Sequence, residues 1–154
     1  MRVSISGLVA SLLLATCAHS EASERADAEH CNSRQIVLAF YNQALIGRDT
    51  TAAFERYAST NFVEHKPDVP LGTRIATAAF LKDLITSMPE ARWEIVRTIA
   101  EGDMVFVHAR FRPTKDASDY AIADVFRLQG CLIAEHWDVV ARPPESPENP
   151  NSRF

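Results

Sequence analysis

One acidic residue within an apolar segment is the best candidate for acid–base chemistry. Residues 118–128 predict a strand, in which Asp124 shares a face with Ile122 and Phe126 because side chains two apart point the same way. Loss of water on an apolar face favours the neutral form of a carboxyl group. Such a group can take up and return a proton, so Asp124 is the candidate general acid or base. The alternative is a solvated strand residue paired with a nearby arginine.

Three histidines are candidates to complete such a site. His108 is the candidate donor to a developing enolate oxygen or, alternatively, the partner of Asp124, and Arg110 on the same predicted face is a candidate ligand-binding residue. His65 and His136 are candidates to line the same cavity. Removal of a proton beside a carbonyl needs a base and a donor that stabilises the enolate oxygen, which these residues supply. The alternative for each histidine is a core or surface position without a chemical role.

Aromatic residues on the predicted strands offer flat walls for a ring-bearing ligand. Trp93, Phe126 and Trp137 are the candidates, although aromatic side chains in strands are more often plain core. Trp137 cannot share a face with His136 on a regular strand, so one of the two lines the pocket while the other faces outward or into a dimer interface. The sequence leaves that choice open.

Other kinds of site lack their usual patterns. The sequence has no His-x-x-x-His or paired-Cys spacing for a metal and no Gly-x-Ser-x-Gly segment for a nucleophile. The formal net charge is -4, without the basic patch that a nucleic-acid-binding domain carries. We therefore expect a small organic ligand, with no metal, cofactor or nucleic acid.

The elements that must position these residues fall into a helical half and a strand-rich half. Apolar residues at a 3.6-residue period predict helices over residues 33–46, 49–57 and 73–88, with Ser33 capping the first and Gly47 ending it. The third helix is expected to bury Ile75, Ala79, Phe80, Leu84 and Ile85.

The second half predicts consecutive hairpins. Residues 59–61 are expected to break the second helix before a short extended segment at 62–65. Short, turn-rich links then separate four predicted strands, at residues 91–100, 104–112, 118–128 and 132–141. The result is an α+β domain over 33–142, a curved antiparallel sheet with three helices on one face. An extended, proline-rich tail over 143–154 is expected to cross the sheet or the pocket rim.

The amino terminus has the layout of a secretory signal. Arg2 precedes a short apolar run over residues 7–15, which predicts an exported protein with a signal peptide over 1–18 and a polar lead-in over 19–32. The residues before Cys17 also resemble a lipoprotein box, so periplasmic, secreted and membrane-anchored locations all stay open. A lipid on Cys17 would be the only contact with a membrane.

The cysteine count bears on the oxidation state of the exported protein. Removal or lipidation of Cys17 leaves Cys31 and Cys131 from a total of three. These two are candidates for a disulfide bond in an oxidising compartment, and two free or buried thiols are the alternative.

Three segments resemble one known family. Residues 61–67 read NFVEHKP, residues 102–110 read GDMVFVHAR, and residues 123–138 read ADVFRLQGCLIAEHWD. In this order they are similar to segments of the SnoaL-like polyketide cyclases, a branch of the nuclear transport factor 2-like superfamily. The likeness covers roughly residues 33–154.

The resemblance implies a cone-shaped fold whose helices pack on the concave face of the sheet around an enclosed pocket. For the cyclases of this family it also implies an intramolecular aldol closure of a polyketide without metal or cofactor. Together with the residues, this favours a cofactor-free cyclase, isomerase or lyase that uses Asp124 as acid or base. The competing interpretations are a non-catalytic ligand-binding or envelope lipoprotein module and a structural domain that dimerises through the convex sheet.

Overall fold

The computed structural model describes residues 32–154 and opens with a helical segment that ends where the sequence predicts. Helix α1 (Ser33–Tyr41) continues as a π-helical turn through Asn42–Ile46 and stops at Gly47. Its N-cap is Asn32, one residue before the predicted Ser33, because the Asn32 side chain accepts a hydrogen bond from the backbone of Gln35.

Two further helices follow. Helix α2 (Thr50–Tyr57) has Asp49 at the predicted N-cap position, although the Asp49 carboxylate accepts a hydrogen bond from Gln43 rather than from the helix. Helix α3 (Arg74–Ser87) is capped by Thr73, whose hydroxyl accepts a hydrogen bond from the backbone N–H of Ala76. A short 3₁₀ turn, Pro70–Gly72, precedes it.

Five strands form one curved sheet in the order β1-β5-β4-β3-β2. Their bounds are β1 (Ala58–Glu64), β2 (Arg92–Glu101), β3 (Met104–Arg112), β4 (Tyr120–Gln129) and β5 (Leu132–Ala141). Strands β2 to β5 are antiparallel neighbours, as predicted. Helices and sheet together make the α+β fold that the sequence indicates.

Strand β1 corrects the expectation of a wholly antiparallel sheet, because it pairs parallel to β5. Helix α3 lies between β1 and the hairpins in the sequence, so β1 joins the sheet through a crossover rather than a tight turn. The strand also begins at Ala58, earlier than predicted. Residues 59–61 were expected to end the second helix in a break. They instead belong to this edge strand, between the paired residues Ala58 and Val63, where polar side chains remain in contact with solvent.

The core lies between the concave face of the sheet and the helices. Phe40 of α1 contacts Phe54 and Phe126 edge-on, with ring centroids 5.0 and 6.0 Å apart, and Phe54 contacts Phe62 of β1 at 5.5 Å. Edge-to-face pairs at these distances add to the free energy gained by burying the rings.

Helix α3 buries less than its apolar pattern predicts. Ile85 is buried, but Ile75 is 78% exposed and Ala79 and Leu84 are also at the surface. Its main neighbours are α2, β1 and the 3₁₀ turn rather than the centre of the sheet. A cavity occupies the space beneath it, which is why its inner side chains are only partly covered.

The carboxyl-terminal tail crosses the outer face of the sheet. Arg153 donates hydrogen bonds to the carbonyl oxygens of Asp119 and Ala141, and the Phe154 ring stacks on His108 with centroids 5.7 Å apart. No helix within residues 32–154 is long and apolar enough to cross a membrane. The predicted signal peptide, Cys17 and Cys31 lie outside the described residues.

Candidate functional site

A cavity of about 490 Å³ lies between the concave face of the sheet and the three helices. That volume accommodates a small ring-bearing organic molecule. Aromatic side chains dominate its walls, including Phe40, Phe54, Phe62, Trp93, Phe111, Tyr120 and Phe126. The predicted wall residues Trp93 and Phe126 are thus part of the cavity.

A row of three ionisable side chains forms one side of the cavity. Parallel pairing sets Glu64 of β1 beside His136 of β5. The Nδ1 of His136 lies 3.0 and 2.8 Å from the two Glu64 oxygens, and its Nε2 lies 3.2 Å from Asp124 Oδ1. Each ring nitrogen therefore faces a carboxylate, and only the doubly protonated imidazolium can donate to both.

The electrostatics of the row agree with this geometry. Burial lowers the pKa of His136, but the hydrogen bonds and charges of Asp124 and Glu64 outweigh burial and raise its pKa to about 10. His136 is thus positively charged at neutral pH. Asp124 Oδ1 is the acceptor for one of the two ring N–H groups of this imidazolium.

A second ion pair continues the row. Lys66 Nζ lies 3.0 and 2.7 Å from the two oxygens of Asp138, and both residues line the cavity. Asp138 is also the direct cross-strand partner of Asp124 in the β4–β5 ladder. Five charged side chains therefore lie in one continuous strip.

Two buried polar atoms in the same cavity have no hydrogen-bond partner among the described residues: Tyr41 Oη and Asp124 Oδ2. Tyr41 is 1% exposed and Asp124 is 6% exposed. Burial, followed by the charge of Asp124 and a side-chain interaction of the phenol with that carboxyl group, raises the pKa of Tyr41 well above its ordinary value, so the phenol keeps its proton. The phenol and the carboxyl group thus lie close together in the cavity, one a donor and one an acceptor, and a ligand that reaches them can bond to both.

Two sequence predictions place residues on the wrong face. His108 pairs with Ala123 across β3–β4, on the side opposite Asp124, and with Arg110 it lies beneath Phe154 on the outer face. Neither side chain lines the cavity. The predicted contact between His108 and Asp124 is therefore wrong, because the one-residue offset in register reverses the side of the sheet.

His65 and Trp137 also lie outside the cavity. Their rings stack with centroids 4.4 Å apart and planes 5° apart, and His65 Nε2 lies 2.8 Å from Glu135 Oε2. This settles the alternation on β5: His136 and Asp138 point inward while Trp137 points outward.

Among the polar residues of the cavity that the sequence analysis missed are Tyr41, Glu64, Lys66 and Asp138. Period-two alternation carried part of the signal. Once His136 faces inward, Asp138 must do so too, and Glu64 and Lys66 lie on the face opposite His65. Tyr41 gave no such signal, since it lies in an ordinary apolar helix stripe.

The described residues do not offer a metal site. No group of three or more His, Cys, Asp or Glu within residues 32–154 is arranged to hold a metal ion. The row of Glu64, His136 and Asp124 cannot bind a metal ion through His136, because both ring nitrogens donate hydrogen bonds and leave no lone pair for a metal.

The sequence profile of the SnoaL-like domain family matches residues 37–136. The chain belongs to the SnoaL-like domain family. The matched range runs from the first buried residue of α1 to His136 and so includes every element of the cavity except the end of β5. No curated protein sequence matches the chain.

Solved structures share the SnoaL-like fold at low sequence identity. A protein provisionally named as a polyketide cyclase from Acidithiobacillus ferrooxidans has a TM-score of 0.60 and 17% identity, with 73% of this chain and 90% of that chain covered. TsrD from Streptomyces laurentii has a TM-score of 0.59 and 16% identity, with 70% and 87% covered. At this level the likeness establishes the fold and no more.

Proposed function

We propose that this SnoaL-like protein is a cofactor-free proton-transfer enzyme, an aldol-type cyclase, isomerase or lyase, that acts on a small apolar carbonyl compound. The observation that carries the proposal is the pair of unsatisfied buried atoms, Tyr41 Oη and Asp124 Oδ2, in one aromatic cavity. An acceptor beside a donor is what enolisation needs.

Asp124 is the base in this proposal. Its Oδ1 accepts a hydrogen bond from His136, while Oδ2 keeps its lone pairs available to the cavity. The imidazolium orients the carboxyl group before the substrate arrives. Glu64 in turn holds the imidazole ring from the other side.

Tyr41 is the donor for the oxygen that becomes negative. When Asp124 removes the proton from the carbon beside the carbonyl, the C–H electron pair moves into the enolate and charge develops on the oxygen. The phenol hydroxyl donates a hydrogen bond to that oxygen. In a cyclisation, the enolate carbon then adds to a second carbonyl of the same molecule, and the resulting alkoxide takes the proton back from Asp124.

The fold neighbours give independent support for this class of substrate. Besides the Acidithiobacillus protein, a structure from Jannaschia sp. CCS1 is provisionally named as a SnoaL-like polyketide cyclase, with 16% identity and a TM-score of 0.59. Polyketides are carbonyl-rich apolar molecules, which suits an aromatic cavity that contains a base and a donor.

Hydrogen–deuterium exchange at carbon tests the proposal without knowledge of the natural substrate. We expect the protein to catalyse loss of the α-deuterons of deuterated 2-tetralone, followed by NMR, and we expect Asp124→Asn to abolish this while 2-tetralone still binds. Glu101→Gln, at an exposed strand end, is the matched control. No exchange by the wild-type protein would refute the catalytic proposal, and equal loss of exchange and binding in Asp124→Asn would favour a binding module.

We also propose that the protein is exported, with residues 1–18 as its signal peptide and a homodimer as its assembly. Mass spectrometry of the mature protein distinguishes cleavage from lipidation at Cys17. Cys131 is disulfide-bonded, and peptide mapping should identify Cys31 as its partner. Sedimentation analysis tests the dimer.

A further inference from the structure

Asp138 has no part in the proton transfer proposed above, yet it lies inside the cavity. It is the direct cross-strand partner of Asp124, and like charges in that position repel each other. Lys66 donates a hydrogen bond to each of the two carboxylate oxygens of Asp138. Asp138 does not position Asp124, so its presence beside the base must have another cause.

The charges that line the cavity do not cancel. Among the described residues that line it, Glu64, Asp124 and Asp138 carry three negative charges, whereas His136 and Lys66 carry two positive ones. The walls are mostly aromatic and aliphatic, so this single excess negative charge is screened less than it would be on the surface.

The charge of Asp138 extends across the cavity. After burial and the nearby Asp124, the charge of Asp138 is a further cause that raises the pKa of Tyr41. A ligand group that binds beside Tyr41 and Asp124 would therefore experience the same negative potential.

We propose that the excess negative charge of the cavity, which Asp138 increases and Lys66 reduces, makes the cavity charge-selective, so that it takes uncharged or ammonium-bearing apolar molecules and rejects carboxylates, sulfates and phosphates. The inference rests on the proposed function in that it takes this cavity to be the ligand site. It narrows the substrate class to carbonyl compounds that carry no negatively charged group.

Position on the strand makes Asp138 suited to this selection. Along β5 the inward residues are His136, Asp138 and Val140, and Val140 is 42% exposed. Asp138 thus lies between the buried row and the exposed end of the strand. A ligand that approaches Asp124 from that end passes the Asp138–Lys66 pair.

Binding of three unreactive naphthalenes tests the selection by calorimetry at pH 7. The probes have similar shapes and differ in charge: 2-naphthylmethanol, 2-naphthoate and 2-naphthylmethylamine. We expect the carboxylate to bind at least about tenfold more weakly than the alcohol, and the amine at least as tightly as the alcohol. Equal binding of alcohol and carboxylate would overturn the charge selection and leave the proposed chemistry standing. Binding of none of the three would overturn both, since the cavity would not be a ligand site.

Two variants shift the excess charge in opposite directions and keep the test decisive if one of them folds poorly. Asp138→Asn removes the excess negative charge, so the alcohol-to-carboxylate preference should shrink several-fold; Lys66→Met doubles the excess and should enlarge it. Glu101→Gln removes a carboxylate far from the cavity and should leave the preference unchanged. The same preference in both cavity variants and in the wild-type protein would show that other groups set it.

Discussion

Both carboxylate oxygens of Glu64 lie within 3.0 Å of the Nδ1 of His136, the ring whose other nitrogen faces Asp124. This contact makes the imidazole ring a fixed positive charge rather than a group that changes protonation near pH 7. His136 positions Asp124 through one hydrogen bond, and Glu64 positions His136 through its other ring nitrogen. Substitution of Glu64 should therefore lower the pKa of His136, although His136 itself is unchanged.

The stability of the protein should decline in alkaline solution because of this row. The pKa of His136 is raised from the ordinary 6.5 to about 10, so its stabilising charge is fully present below pH 6.5 and is lost as the pH rises through 10. Urea unfolding between pH 6 and 10 should show this decline in the free energy of unfolding, and Glu64→Gln should flatten it. His65→Gln, which removes a histidine from the outer face, is the control. An unchanged slope in Glu64→Gln would contradict the assignment.

Tyr41→Phe should separate activity from stability. The hydroxyl is buried without a hydrogen-bond partner among the described residues, and such a group costs roughly 1–3 kcal/mol relative to a satisfied one. We therefore expect Tyr41→Phe to unfold at the same or a higher urea concentration than the wild-type protein. The same change should slow α-deuteron exchange in 2-tetralone about a hundredfold, because the enolate oxygen loses its donor. A stable variant with full exchange activity would exclude Tyr41 as the donor.

Arg48 should be a strong stabilising residue outside the cavity. Its Nη2 donates to the carbonyl oxygens of Ile85 and Met88 at 2.5 and 3.1 Å, at the end of α3, where each oxygen also accepts one backbone N–H. Arg48→Met should lower the free energy of unfolding by about 2 kcal/mol, since charge-assisted hydrogen bonds are lost. Arg142→Met, at an exposed position, should change it little. Equal urea midpoints for the two variants would refute this role.

The sequence predicted the helices and hairpins well because their signals are local. Periodicity and turn residues defined α1, α2 and the four long strands, and the alternation around His136 limited its partners to one face. Strand β1 could not be placed in this way. Its parallel pairing with β5 joins residues 72 positions apart, and no local pattern encodes such a contact.

The site was predicted only in part for the same reason. Asp124 was found because an acidic residue on an apolar strand face is unusual, whereas His108 was assigned to the wrong side since sequence does not fix the register between β3 and β4. Glu64 and Lys66 depend on the parallel pairing of β1 and could not be predicted without it. Tyr41 reaches the cavity through helix packing, which a single sequence does not reveal.

The carboxyl-terminal tail should control the titration of His108 without affecting the cavity. Burial, the charge of Arg97 and the charge of Arg153 lower the pKa of His108, and the Phe154 ring covers it. Removal of residues 153–154 should therefore raise the pKa of His108 towards its ordinary value, as measured by NMR titration of the histidine ring protons. Because His108 lies on the face opposite Asp124, α-deuteron exchange in 2-tetralone should stay at the wild-type rate. A truncated protein with an unchanged His108 titration would show that the tail does not cover this face in solution, and a large loss of exchange would show that the two faces of the sheet are coupled.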